Sequence, residues 1–169
     1  MVRTRFCLWM AIAWLMAAAP GFAAVLEEGS VTVTPASIVV GFREGVPSGD
    51  GTLRITPPSA LTSGSLSVAR GLPGGHMGRV FVEGGALNIT SGGNIGETGI
   101  GRLEVTDGGI ADFGKDLLVG GVNTSTLLAE GTIVVEGLGS RMRTGTRMIV
   151  GEYGLGEMYL ANGAVVSPL

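Results

Sequence analysis

Three kinds of short apolar segment recur in a fixed order along this chain, and that recurrence limits the fold more than any other feature. The first kind reads Val39-Val40-Gly41, Ser67-Val68-Ala69, Asn94-Ile95-Gly96, Leu118-Val119-Gly120 and Ile149-Val150-Gly151. The second reads Leu53-Arg54-Ile55, Val80-Phe81-Val82, Leu103-Glu104-Val105, Ile133-Val134-Val135 and Met158-Tyr159-Leu160. A third, looser kind follows a few residues later: Ala60-Leu61, Ala86-Leu87, Ile110-Ala111, Arg141-Met142 and Ala164-Val165. Order and offset persist through five turns of about 27 residues, which is the mark of a repeat architecture.

The second kind alternates apolar, variable, apolar, the period of a strand with one buried face. Most of its members run into glycines: Gly84-Gly85, Gly108-Gly109, Gly137 with Gly139, and Gly163. Glycine suits the positive-φ corner that returns a chain to its next strand. Such strands can bury their apolar faces only by stacking on the next turn. The expected fold is all-β: a right-handed parallel β-helix, or β-solenoid, of about five coils over residues 38–169. A lead-in or cap over residues 24–37 precedes it. At the ~4.8 Å strand spacing, five coils rise about 24 Å. An antiparallel β-sandwich is the runner-up, but it needs no fixed order of segment types.

The beginning of the chain differs from the rest. Arg3 and Arg5 precede an unbroken apolar run from Phe6 to Ala19, and Pro20-Gly21-Phe22-Ala23 ends it in small residues. This is the order of a secretory signal peptide, residues 1–23, with cleavage between Ala23 and Ala24. The run falls short of the ~20 residues that cross a bilayer, and no other stretch is long and apolar enough to span one. Cleavage removes Trp9, Trp14 and the only cysteine, Cys7, so the mature chain has neither disulfide nor thiol chemistry. With Arg3 and Arg5 gone, 9 basic residues face 14 acidic ones. A mildly acidic surface gives no reason to bind nucleic acid. The sequons at Asn88 and Asn123 would matter only in a eukaryotic secretory pathway.

Gly99-Ile100-Gly101-Arg102-Leu103-Glu104-Val105-Thr106-Asp107-Gly108-Gly109 resembles a bacterial repeat. So do Gly131 to Ser140 and Met148 to Gly156. The repeat is shared by autotransporter (type V secretion) passengers and PEP-CTERM exported proteins, and the resemblance covers residues ~38–167. It implies an exported, non-enzymatic β-helical protein, structural or adhesive at the bacterial cell surface and outer membrane. There are departures. Met142 stands where family repeats often carry an aromatic, and Pro57-Pro58 replaces the first glycine pair, as in a capping or edge coil. The repeats stop at Ser167-Pro168-Leu169 with no translocating barrel and no sorting helix after them. The expectation is a fragment, a truncated reading frame or a short secreted piece, with a last strand edge open to self-association.

The alternative is a carbohydrate-active β-helix, a polysaccharide lyase or hydrolase remnant, which would need carboxylates converging on one face. Asp107, Asp112 and Asp116, with Lys115, form the acid-rich candidate. Asp107 precedes a glycine pair and is accounted for by an Asx-type turn. Asp112 and Asp116 flank Phe113-Gly114, which reads as another turn. The only histidine, His76, sits in Gly74-Gly75-His76-Met77-Gly78 and reads as an exposed loop residue with no second ligand for zinc. Gly108-Gly109-Ile110-Ala111-Asp112 lacks the third glycine of a calcium nonapeptide. No catalytic, cofactor or metal site is therefore expected. Arg141, Arg143 and Arg147 are the candidate contact for acidic surface glycans, since alternate residues of a strand share a face.

Overall fold

The structure is a computed structural model that describes residues 25–42, 49–71, 76–121 and 129–169. The expected signal peptide with its Ala23–Ala24 cleavage site, and the sequon at Asn123, lie outside the described residues.

Among those residues every regular element is a strand. In chain order they are β1 (Val25–Gly29), β2 (Val31–Val33), β3 (Ser37–Phe42), β4 (Gly51–Ile55), β5 (Ala60–Ser63), β6 (Ser65–Arg70), β7 (Met77–Glu83), β8 (Ala86–Ile89) and β9 (Gly93–Ile95). Then follow β10 (Ile100–Thr106), β11 (Ile110–Phe113), β12 (Leu117–Val119), β13 (Glu130–Glu136), β14 (Arg141–Thr144), β15 (Met148–Val150), β16 (Leu155–Ala161) and β17 (Val165–Pro168).

The strands form three sheets that wrap one core. Sheet A orders β1-β4-β7-β10-β13-β16, sheet B orders β15-β12-β9-β6-β3-β2, and sheet C orders β17-β14-β11-β8-β5. From β3 onward all pairing between coils is parallel, so the fold is a parallel β-solenoid. The chain makes four complete turns from β3 to β15, and β16 and β17 add two further sides. The three recurring segment kinds are the three sheets. In sheet A, Leu53, Val80, Leu103, Ile133 and Met158 stand in one column. In sheet B, Val40, Val68, Ile95, Val119 and Val150 do the same.

The third kind needs one correction. Val165, not Ala164, stands above Arg141. The turn from sheet A to sheet C varies in length: Arg141 follows in-register Glu136 by one residue more than Val165 follows Ala161.

The first strands close one end. β1 lies antiparallel on β4, and β2 antiparallel on β3. Reversed strands occupy the ladder positions that a further parallel coil would need. Sheet C ends instead at β5, the strand that follows Pro57-Pro58. The turn there keeps the closing hydrogen bond of the glycine turns: Ser59 N–H donates to the Thr56 carbonyl at 2.8 Å, as Gly109 N–H does to Thr106.

Alternation sends every second strand residue inward. The core contains Ile38, Leu53, Leu66, Val80, Leu103, Phe113, Ile133 and Met142, all essentially without solvent contact. Met142 therefore fills an interior place. Phe113 is among the largest fully buried side chains, and with Asp112 it belongs to β11. The expectation of a turn at Phe113 is thus corrected. Phe113 is the fourth residue of an out-in-out-in strand, and the turn begins at Gly114.

Where sheet B meets sheet A the backbones come too close for side chains. Gly51, Gly78, Gly101, Gly131 and Gly156 stack in one inward column at this corner. A Cβ on Gly131 would overlap the Ile95 carbonyl oxygen and the Gly120 amide nitrogen. This column is the first glycine of each G-x-L-x-V segment, so the repeat's spelling follows from packing.

Candidate functional site: the aspartate and arginine corner

The outer face of sheet C brings two of the sequence candidates together. Arg141 and Arg143 point outward from β14, flanking buried Met142. Arg143 stands in register above Asp112 of the coil below. Its Nε donates to Asp112 Oδ1 at 2.8 Å, and its Nη2 donates to Oδ2. That fork matches a planar guanidinium to a planar carboxylate. The hydrogen bond to Asp112 raises the Arg143 pKa above its ordinary value; desolvation opposes the shift and the carboxylate's charge adds to it.

The same arrangement recurs at the next corner. Arg147 lies between β14 and β15, and its Nε donates to Asp116 Oδ2 at 2.8 Å. That bond, then the charge of Asp116, raises Arg147 above its ordinary value, with a smaller contribution from Glu152. Asp112 and Asp116 are therefore both turned toward arginines of the following coil. They act as rungs between turns, and neither is aimed at the other across a cleft.

Arg141 differs from its companions. It is exposed, its register neighbours are Ile110 below and Val165 above, and no carboxylate pairs with it among the described residues. Lys115, exposed in the turn after β11, is likewise without an acidic partner there. The corner thus combines two neutralised ion pairs with two surplus cations.

Sequence reasoning missed the cross-coil pairing, although a signal for it exists. Asp112 and Arg143 are separated by 31 residues, as are Asp116 and Arg147. That is also the step from Val119 to its register partner Val150. Residues one coil-length apart are neighbours, so opposite charges at that interval predict a pair.

The remaining candidates take structural places. Asp107 adopts φ 55° at the sheet A to sheet C turn, and Asn162 adopts the same φ at the same place two coils on. Asp and Asn tolerate this left-handed conformation better than most side chains. His76 corrects an expectation: it is buried, with 4% of its surface exposed. It stands in register below Gly99, and a Cβ on that glycine would come within 2.9 Å of the imidazole. The absent side chain in the next coil is what lets the ring tuck under the backbone. Among the described residues, neither ring nitrogen has a hydrogen-bond partner.

Sheet A carries a second set of surface pairs. Arg54 bonds Glu83 and lies 4.5 Å above the Phe81 ring centroid, and Arg102 bonds Glu104. Among the described residues no group of three His, Cys, Asp or Glu side chains is placed to hold a metal ion, and no helix is long and apolar enough to cross a membrane.

No protein-family model matches this chain, and no curated protein or solved structure is significantly similar to it.

Proposed function

We propose that this chain is an exported, non-enzymatic β-helical repeat protein, similar to an autotransporter passenger, and structural or adhesive at a bacterial cell surface. The observation that carries the reading is the pairing of Asp112 with Arg143 and of Asp116 with Arg147. A general acid or base must be free to exchange a proton with substrate. These carboxylates are instead held by arginines that link successive coils.

The rest of the described surface supports the same reading. A parallel solenoid is a rigid, quasi-one-dimensional rod whose outer faces repeat every strand spacing. It presents evenly spaced side chains along each face, one per coil, which suits contact with a repeating partner. The signal-like first 23 residues support the export of that solenoid from the cytoplasm. The glycine-punctuated repeats agree with passengers of the type V and PEP-CTERM exported classes.

The test uses residues 24–169 expressed without the signal. The protein should retain bacteria or immobilised glycans on a surface and should release no product from acidic or neutral polysaccharides. Turnover that disappears in Asp112→Asn or Asp116→Asn would replace this reading with an enzymatic one.

A further inference from the structure

A shallow cavity of about 360 Å³ opens at the corner between sheets C and B, lined by Gly92, Gly93, Asn94, Lys115, Asp116, Leu118 and Thr146. We propose that it is a carbohydrate subsite for one uronate residue of an acidic polysaccharide. The inference rests on the adhesive reading above and names its ligand class and contact point.

Three coils build the cavity. Asn94 and Leu118 are register neighbours on the outer face of sheet B. Lys115 and Asp116 come from the turn between β11 and β12, and Thr146 from the turn one coil above. All are set by backbone that is hydrogen-bonded between coils: Gly93 N–H donates to the Asp116 carbonyl, Lys115 N–H to Ser91, and Leu117 N–H to Arg147. The groups are therefore held on a rigid frame, which lowers the entropy that binding must overcome.

The chemistry fits a sugar ring better than other small ligands. A pyranose has C–H groups that pack on an aliphatic surface, and Leu118 provides one. Its hydroxyls each donate and accept. The Asn94 amide does both, the Thr146 hydroxyl does both, and the Asp116 carboxylate accepts. Arg147 holds Asp116 through Oδ2 and so fixes the direction of that carboxylate.

Charge selects among sugars. Lys115 stands at the cavity with no acidic partner among the described residues, and exposed Arg141 lies on the neighbouring sheet C face. A uronate carboxylate meets Lys115 while its hydroxyls meet Asn94 and Asp116. A sulfate ion alone would face the Asp116 carboxylate with no hydroxyl to offer it. Flat nucleobases find no aromatic side chain in the cavity lining.

Titration calorimetry of residues 24–169 with an oligogalacturonate, a neutral glucan of equal length and inorganic sulfate tests this. The oligogalacturonate should bind, and neither control should. Lys115→Ala should weaken binding about tenfold, the scale of losing one hydrogen bond to a charged group, and Asn94→Ala about fivefold, the scale of losing a neutral one. Arg54→Ala, on sheet A, should leave it unchanged. Circular dichroism of each variant shows that the fold persists. Oligogalacturonate binding that survives both cavity variants overturns the subsite and leaves the adhesive reading intact. So does binding of other glycans alone. No binding to any glycan or cell surface overturns both.

Discussion

Gly131 lies against Gly120 at the corner where sheet B meets sheet A, so close that a Cβ on Gly131 would overlap the Gly120 amide nitrogen. Backbone forms the obstacle, and backbone cannot swing aside as a side chain end can. Gly131→Ala should destabilise the chain by about 3 kcal/mol, the upper end of overpacking costs. Gly139→Ala has a different origin. Its φ is +84°, but the nearest atom to an added Cβ is 3.5 Å away, so only backbone strain of about 1–2 kcal/mol applies. Urea unfolding of both variants should show the larger loss at Gly131. Equal losses would mean that the corner is looser than described.

Phe113 fills the core from sheet C, and Leu160 continues the same inward pattern on the last strand of sheet A, above buried Val135. Leu160 keeps 52% of its surface exposed because no described coil covers it. Phe113→Ala should cost about 3–5 kcal/mol, as large-to-small core changes do. Leu160→Ala should cost clearly less. Thermal melting of the two variants checks the order, and a reversed order would contradict the described coil stacking.

Ser140 explains a feature of the repeat that the sequence leaves unexplained, the serine after the glycine turn. It is buried, and its hydroxyl accepts a hydrogen bond from Gly108 N–H of the coil below at 3.0 Å. Ser140→Ala leaves that amide without its partner and should cost about 1–3 kcal/mol. Slower loss of stability with Ser140→Thr than with Ser140→Ala in a denaturant series would tie the effect to the hydroxyl.

Tyr159 donates to Glu157 on the same strand at 3.0 Å. That bond, then the charge of Glu157, raises the phenol pKa above its ordinary 10.0. The sign follows: a raised pKa in the folded chain stabilises it fully below the unfolded value. The contribution is lost as pH rises through the folded value, on the alkaline side of 10. Absorbance titration, taken as the difference between the protein and Tyr159→Phe, should show a phenol titrating above 10. Glu157→Gln should lower it, and no change would place the two side chains apart.

The expected signal can be checked directly. Secreted from a bacterium with the full leader, the chain should begin at Ala24 by mass spectrometry of the intact protein. Retention of Cys7 in the exported product would contradict cleavage after Ala23.

Much of the fold is legible because the repeat obeys one rule: residues a coil-length apart are neighbours. Val80, Leu103 and Ile133 align by eye and stand in register in the structure. The misses come where local spelling and position in the coil disagree. Phe113-Gly114 looks like a turn, yet Phe113 is the inward residue of β11, since glycine marks only the strand's end. His76 sits beside glycines and looks exposed, yet its burial depends on Gly99 of the next coil, which local composition does not show. Arg141 and Arg143 were legible as sharing one outward strand face. Which of them are free was not, because that is decided by acids a coil away.

The coil register is the central claim, and one distance tests it. Thr52 and Glu157 stand in the same outward column of sheet A, joined through Arg79, Arg102 and Thr132. Four strand steps place their Cα atoms about 19 Å apart. Spin labels on Thr52→Cys and Glu157→Cys of the signal-free chain, which has no other cysteine, allow that distance to be measured by pulsed electron paramagnetic resonance. A narrow distribution near 19 Å, broadened by the label arms, is the predicted result. A distribution centred beyond about twice that distance would contradict the stacked parallel coils.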